Sequence, residues 1–127
     1  MRIYLAGGFK SNWQERIMIQ CDQHTYLNPR SHHLDDWKEY SAWDLSAIDQ
    51  CDWVFAYFEK DNPSGYGLVL EIGYARGKQK RVIFVDEISP FSPKHQNHLR
   101  IVEFASDVYF NTLEDGMQFL QSLPTHV

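Results

Sequence analysis

The sequence contains little cysteine, and its placement predicts no cross-link. Cys21 and Cys51 are the only two cysteines, and they stand thirty positions apart. This spacing forms neither a CxxC pair nor a disulfide framework. The first residues also lack the basic and then apolar pattern of a secretory signal peptide. We therefore expect a cytoplasmic protein with reduced cysteines.

Long hydrophobic runs and an excess of basic residues are also missing. No apolar run approaches the roughly 18 residues that a transmembrane helix needs, so we expect no membrane span. Twelve Lys and Arg against seventeen Asp and Glu give a formal net charge of -5, and the basic residues are scattered. The positive patch of a duplex-binding protein is therefore absent. These features predict a globular chain that does not bind a nucleic acid polymer.

The length supports one hydrophobic core, and the aromatic content is high. A chain of 127 residues predicts a single domain over 1–127. It carries 8 Phe, 7 Tyr and 4 Trp. The tryptophans Trp13, Trp37, Trp43 and Trp53 exceed what a small core ordinarily needs. Stacking on flat ligands and packing at a subunit interface are two uses for them.

Short hydrophobic runs alternate with helical patterns along the chain. We predict strands at 1–6, 24–27, 53–58, 81–86 and 108–110. We predict helices at 13–21, from 35 or 36 to 48, at 68–77 and at 113–123, with a polar loop at 28–33. The main strands are continuous apolar runs, which is typical of strands covered on both faces. The pattern predicts an α/β fold: a small doubly wound parallel sheet of the Rossmann or flavodoxin type, flanked by helices on both faces.

In such a fold, ligands bind beyond the carboxyl ends of the strands, here at 7–11, 58–67 and 86–97. The turn after the first strand, Gly7-Gly8, matches neither GxGxxG nor GxxxxGK[ST], so dinucleotide and triphosphate sites are weakly indicated. One interpretation is a tight turn that approaches a small ligand, with Phe9 and Trp13 stacking on a ring. The other is a plain strand-to-helix turn with core aromatics.

Two carboxylates are the strongest functional candidates. Glu71 stands in a predicted helix that is apolar on nearly every side, where burying a carboxylate is costly unless it is paired or faces a cavity. The alternative is a glutamate near a helix N-terminus that reaches solvent. Asp44 lies on a predicted inward stripe, which comprises Trp37, Tyr40, Ser41, Asp44, Leu45 and Ile48. Paired carboxylates suit glycosyl chemistry, although Asp44 on a helix surface is the alternative.

Other reactive residues form weaker patterns. Asp61 and Ser64 are either ligand contacts or turn formers. Of the six histidines, His32 and His33 are adjacent, and the pair His95 and His98 lacks a third ligand at helical spacing, so we expect no metal site. No GxSxG elbow or Cys-His pair indicates a serine or thiol hydrolase.

Residues 3–9 read Ile-Tyr-Leu-Ala-Gly-Gly-Phe, residues 44–48 read Asp-Leu-Ser-Ala-Ile, and residues 67–75 read Gly-Leu-Val-Leu-Glu-Ile-Gly-Tyr-Ala. In this order they resemble the opening strand and turn, the DL..I segment and the G...EIGYA helix of a known family. That family is the nucleoside 2-deoxyribosyltransferases, with their relatives the deoxynucleoside 5'-monophosphate N-glycosidases. The resemblance covers most of the chain.

The resemblance implies a role for each matching residue. Glu71 is the implied nucleophile, Tyr4 positions it, and Asp44 binds the substrate base or sugar. Asn97 is similar in placement to an asparagine that these transferases take from a neighbouring subunit, which implies a homo-oligomer. The expected substrate-binding residues are Gly7, Phe9, Trp13, Asp61, Ser64, Gly67 and Asn97.

The implied activity is transfer of 2-deoxyribose between nucleobases through a covalent intermediate on Glu71, with Asp44 or Asp61 as proton donor to the base and no cofactor. The partners are small nucleosides and nucleobases. Hydrolysis of the same bond by an N-glycosidase and a catalytically silent nucleoside-binding module are the alternatives. Six residues before Glu71, many transferases have Asp and the nucleotide hydrolases have Ser, whereas this chain has Gly65.

Contacts to a 5'-phosphate would distinguish nucleotide from nucleoside substrates. A phosphate needs hydroxyls, backbone N–H groups or cations. Near the first turn, Lys10, Ser11 and Arg16 are the residues that could provide them.

Overall fold

The continuous apolar runs of the sequence form the strands of a parallel sheet. A computed structural model describes residues 1–62 and 65–126. Within these residues the strands are β1 (Arg2–Gly7), β2 (Thr25–Leu27), β3 (Trp53–Phe58), β4 (Arg81–Asp86) and β5 (Val108–Phe110). The helices are α1 (Trp13–Gln20), α2 (Trp37–Gln50), α3 (Tyr66–Gly77), α4 (Pro93–Ala105) and α5 (Leu113–Ser122). Short 3₁₀ turns lie at Pro29–Ser31 and Ser89–Phe91.

The sheet has the order β2-β1-β3-β4-β5, and every neighbouring pair is parallel. Tyr4 on β1 pairs in register with Val54 on β3, and Phe55 on β3 pairs with Ile83 on β4. From β1 the chain first adds β2 on one side, and it then adds β3, β4 and β5 in turn on the other side. The direction of strand addition reverses between β1 and β3, so a crevice opens there at the carboxyl ends of the strands. The predicted doubly wound parallel α/β fold is confirmed.

Two hydrophobic clusters cover the two faces of the sheet. Along β3, Val54, Ala56 and Phe58 belong to the cluster that α2, α3 and α4 cover. Trp53, Phe55 and Tyr57 belong to the cluster that α1 and α5 cover. All six residues of β3 are buried. The absence of alternating polar residues in this strand therefore follows from its central place between two helical layers.

Helix α4 lies between β4 and β5, where the sequence analysis predicts no helix. The helix nevertheless begins with recognisable signals. Ser92 caps it, with its hydroxyl oxygen accepting a hydrogen bond from the His95 backbone N–H at 3.3 Å, and Pro93 occupies the first helical position. Leu99 anchors the helix in the core.

The predicted burial of two helices is partly wrong. In α2 only Ala47 and Ile48 are buried, and Trp37, at the start of the predicted inward stripe, is 64% exposed. Only the last turns of α2 pack on the sheet, which leaves its first half in solvent. Helix α3 is buried along Leu68, Ile72 and Ala75, but Tyr66 and Leu70 face outward.

None of the helices in the described part of the chain combines the length and apolarity needed to cross a bilayer.

Candidate active site

Strand β1 and helix α3 bring Tyr4 and Glu71 together. Tyr4 projects from β1 toward the face of the sheet that α2 and α3 cover, and it is 1% exposed. Its hydroxyl donates a hydrogen bond to Glu71 Oε2. The rigid strand thereby fixes the orientation of the Glu71 carboxylate, which lies at the carboxyl-end crevice of the sheet.

The protonation state of Glu71 depends on three competing influences. Burial raises its pKa to about 7, the hydrogen bond from Tyr4 opposes this rise, and the charge of Asp44 adds to it. Burial and the two carboxylates raise the pKa of Tyr4, so its phenol stays protonated as a donor. Because a phenol that donates to a carboxylate favours the ionised form, Tyr4 helps keep Glu71 available as a nucleophile.

Asp44 on α2 joins this pair from a second helix. Burial raises the pKa of Asp44, while His32 and the Tyr4 hydroxyl oppose the rise. The Asp44 Oδ1 atom is buried and has no hydrogen-bond partner in the part of the chain that the structure describes. A buried carboxyl oxygen without a donor is unfavourable unless a ligand supplies one. The raised pKa keeps the group protonated, and so able to give a proton, to higher pH.

His32 also belongs to this site, although no sequence motif marks it. Its Nε2 lies 3.9 Å from Asp44 Oδ1, and the Trp43 ring packs edge-on at 4.9 Å between centroids. The Leu34 backbone N–H donates to His32 Nδ1 at 2.9 Å. Nδ1 is therefore an acceptor, which places the proton of the neutral ring on Nε2, facing Asp44. The sequence holds only a histidine pair in a loop, with no periodic signal to single out His32.

A cleft of about 240 Å³ lies beside Glu71, at the carboxyl ends of β1 and β3. It is lined by Gly7, Gly8, Tyr57, Phe58, Glu59, Asn62, Gly67, Leu68 and Glu71. Gly7 has a φ of 151°, and a Cβ there would lie 2.7 Å from the Tyr57 carbonyl oxygen. Only glycine satisfies both conditions, so the turn lets the backbone form the floor of the cleft.

Among the predicted substrate-binding residues, Gly7 and Gly67 line the cleft. The prediction that Trp13 stacks on a ligand is corrected: it is 2% exposed, packs against Phe55 and Tyr57, and donates from Nε1 to the Gly8 carbonyl at 2.9 Å. Its burial in the core holds the turn in place.

The other predicted contacts lie farther out or outside the described residues. Phe9 is half exposed, and the Arg30 guanidinium lies 4.9 Å from its ring centroid. Asp61 is exposed, and unlike Asp44 it has no described interaction with Tyr4 or Glu71, so it fits the role of proton donor less well than Asp44 does. Asn97 is exposed on α4 and does not line the cleft of its own chain. Ser64 lies outside the described residues.

The structure gives a physical reason for Gly65. A Cβ at this position would come within 2.6 Å of the Phe58 ring, which is itself buried. An Asp or Ser side chain, which the resemblance leads us to expect here, would force that ring to move. Glycine at position 65 therefore fits against the Phe58 ring without displacing it.

Within residues 1–62 and 65–126, no group of three or more His, Cys, Asp or Glu side chains is placed to hold a metal ion. The side chains that meet around Glu71 are instead the Tyr4 phenol and the Asp44 carboxyl group, with the His32 imidazole beside Asp44.

Fold and site together define an α/β domain with a paired carboxylate and phenol at the carboxyl-end crevice of a parallel sheet. The profile described as "Nucleoside 2-deoxyribosyltransferase like" matches residues 1–88, and the chain belongs to this family. The matched segment includes Tyr4, Asp44 and Glu71, whereas α4 with Asn97 lies beyond it. No curated protein matches the chain.

Solved structures share the whole fold at low sequence identity. The 2-deoxyribosyltransferase of Bacillus psychrosaccharolyticus is 20% identical, with a TM-score of 0.68 and coverage of 98% of this chain and 93% of that one. The CMP N-glycosidase of Clostridium botulinum is 19% identical, with a TM-score of 0.67 and coverage of 97% and 100%. The 2-desoxiribosyltransferase of Leishmania mexicana is 17% identical, with a TM-score of 0.68 and coverage of 97% and 99%.

Proposed function

We propose that this protein is a nucleoside 2-deoxyribosyltransferase, which moves 2-deoxyribose from one nucleobase to another. The observation that carries the proposal is the Tyr4–Glu71 hydrogen bond beside the cleft, with Asp44 close to both groups. This arrangement holds an oriented carboxylate next to a second carboxyl group of raised pKa, which is what displacement at an anomeric carbon requires.

In the first step, a Glu71 carboxylate oxygen attacks C1' of the sugar as the C1'–N bond breaks. The electron pair of that bond leaves with the base, and protonated Asp44 donates a proton to the base nitrogen. The products are a free base, ionised Asp44 and a deoxyribosyl ester on Glu71. Tyr4 orients the attacking oxygen throughout.

In the second step, a nitrogen of an incoming base attacks C1' and displaces the Glu71 carboxylate, while Asp44 takes the proton that this nitrogen loses. Both groups then return to their starting states, and the configuration at C1' is retained after two displacements. Water in place of the second base would give hydrolysis, which is the N-glycosidase alternative.

The assay for this proposal separates products by chromatography. Purified protein receives each deoxynucleoside alone and with a different free base. A new deoxynucleoside that forms only with the added base is the expected result. Free base and free deoxyribose without exchange would establish the N-glycosidase instead, and tight binding without any product would identify a nucleoside-binding module.

Replacing Tyr4 with Phe is expected to shift the acidic limb of kcat/KM to higher pH by about 1 unit. The change keeps the buried ring but removes the donor that lowers the pKa of Glu71, so the carboxylate stays protonated to higher pH. A pH–rate profile from 5 to 9 measures the shift. Tyr74→Phe, which removes an α3 hydroxyl bonded to Asp49 instead, should leave the limb in place. If the acidic limb of the Tyr4→Phe profile lies at the same pH as in the wild type, Tyr4 does not lower the pKa of Glu71.

We further propose that the protein works as a homo-oligomer in which Asn97 completes the site of a neighbouring subunit. Ile101 and Phe104 follow Asn97 at helical spacing on α4, and they are 75% and 84% exposed. On α3, Tyr66 and Leu70 are also exposed. We call these five residues the α3–α4 surface, and a second copy of the chain would bury its apolar side chains.

This surface adjoins the cleft. A groove of about 510 Å³ between α3 and α4 includes Phe58, which also lines the cleft beside Glu71. A subunit seated on the α3–α4 surface would therefore cover the crevice. Excluding water in this way would favour a second base over hydrolysis.

We place the enzyme in the cytoplasm. Cys21 and Cys51 are buried and free. Free thiols suit a reducing compartment, where base exchange on deoxyribose would serve nucleoside salvage.

A further inference from the structure

Glu59 is the charged residue of the cleft that the proposed mechanism does not use. It follows β3 directly, at the carboxyl end of the strand, and lines the cleft together with Glu71. Its Oε1 atom is inaccessible to solvent, and no group in the described ranges 1–62 and 65–126 donates a hydrogen bond to it. An oxygen of this kind is unfavourable unless a ligand supplies the donor.

Glu59 and Asp44 lie in different surroundings. Asp44 lies with Tyr4 and His32 and does not line the cleft, whereas Glu59 lies in the cleft near Gly8. In a nucleoside whose C1' lies at Glu71, the base and the sugar hydroxyls extend from that carbon in different directions. Because the proposed mechanism assigns the base to Asp44, the sugar is the part of the substrate that remains for Glu59.

The chemistry of a carboxylate decides which end meets Glu59. Ionised, it only accepts hydrogen bonds, and each sugar hydroxyl offers a donor. Asp44 already provides the proton that the departing base needs in the proposed mechanism. The hydroxyl-bearing part of the sugar is thus the partner that fits Glu59.

The charges around the cleft oppose a phosphate. No Lys, Arg or His is among the described residues that line it. The cations near the first turn do not line the cleft. Lys10 Nζ donates to the Asp61 backbone carbonyl at 2.5 Å, Arg16 pairs with Glu114 at 3.1 Å, and Arg30 donates to Gln14 Oε1 at 2.9 Å. A phosphate dianion in this cleft would face Glu59 and Glu71 without a compensating cation.

Resting on the proposed function, we infer that Glu59 is a specificity-determining residue that accepts a hydrogen bond from a sugar hydroxyl and selects nucleosides over their 5'-monophosphates. It is a binding contact to the substrate, separate from the nucleophile and from the proton donor.

The test compares kcat/KM for the best deoxynucleoside with kcat/KM for its 5'-monophosphate. Wild-type protein should prefer the nucleoside by at least about 100-fold. Glu59→Gln, which keeps the shape but removes the charge, should reduce this preference by about 10-fold or more. Glu103→Gln, an exposed glutamate at the far end of α4, should leave it unchanged.

The outcomes separate this inference from the proposed function. If the wild type turns over both substrates equally well, or if Glu59→Gln keeps the wild-type preference, Glu59 does not have the inferred role. The proposed transferase activity stands in both cases. If neither substrate reacts, the proposed function is wrong. Calorimetric binding of the same two ligands then tests whether Glu59 selects the nucleoside. Tighter binding of the nucleoside that Glu59→Gln weakens would support the inference, and equal or absent binding would reject it.

Discussion

Glu71→Gln should abolish turnover and at the same time stabilise the fold at alkaline pH. The amide cannot attack C1', so kcat should fall by at least about 10³-fold. The amide oxygen still accepts the hydrogen bond from Tyr4, so the local packing persists. A residue that is placed for chemistry and not for stability gives this combination, because its ionised form is costly to bury.

The direction of the stability change follows from the pKa. Glu71 has a pKa of about 7 in the folded chain, raised from 4.5 mainly by burial. The folded state therefore holds the proton more tightly than the unfolded state does, so stability falls as the pH rises from about 4.5 to about 7. Above this range the loss is complete and amounts to up to about 3 kcal/mol. At pH 5, close to the unfolded pKa of 4.5, only a small part of this loss has built up, so the substitution should change stability much less there.

Urea unfolding at pH 5 and pH 8 measures this effect. The free energy of unfolding of Glu71→Gln should exceed that of the wild type by about 2 kcal/mol at pH 8, with the gain disappearing toward pH 5. Glu103→Gln should differ by less than about 0.5 kcal/mol at either pH, as an exposed site does. Retained turnover in Glu71→Gln, or a gain that is equal at both pH values, would refute the assignment.

The second large effect concerns the shared site. Glu71→Gln and Asn97→Ala should each be inactive alone, and mixing the two after subunit exchange should restore activity. In a mixed two-fold dimer, one site combines an intact Glu71 with an intact Asn97 from the other chain, while the second site lacks both. Random mixing then makes about a quarter of all sites complete.

Light scattering and activity measurements together test this prediction. The wild type should run as an oligomer of the 15.0 kDa chain, and the mixture should recover about a quarter of wild-type turnover. Gln96→Ala, the exposed neighbour of Asn97 on α4, should stay active by itself. A monomer at micromolar concentration would exclude a shared site. Asn97→Ala with full activity, or an oligomeric mixture that remains inactive, would show that Asn97 serves no neighbouring site.

The central strands are the elements that the sequence predicts best. The bounds predicted for β3, β4 and β5 coincide with the structure, because continuous apolar runs flanked by polar residues have few other uses. Helix α4 escapes prediction because its apolar residues do not form one inward stripe: Leu99 is buried, whereas Ile101 and Phe104 are exposed among polar residues. The cap at Ser92 and Pro93 is the one local signal for this helix.

The candidate site is only partly predictable from the sequence. Tyr4, Asp44 and Glu71 lie in recognisable sequence segments, and the fold brings these three side chains together. His32 and Glu59 have no such marker. Their importance follows from the tertiary structure. In His32, Nδ1 accepts a hydrogen bond from the Leu34 backbone N–H and Nε2 faces Asp44, whereas in Glu59 the Oε1 atom has no donor among the described residues.

By itself, the sequence determined the parallel α/β fold, the strands of the core and the segments that carry the candidate nucleophile. These depend on short-range patterns of apolar residues and on local motifs. Only the tertiary structure decided which side chains face the cleft and which do not, as with Trp13 in the core and Glu59 in the cleft. The reason is that burial and hydrogen bonding depend on neighbours far apart in the chain, which periodicity within one element does not encode.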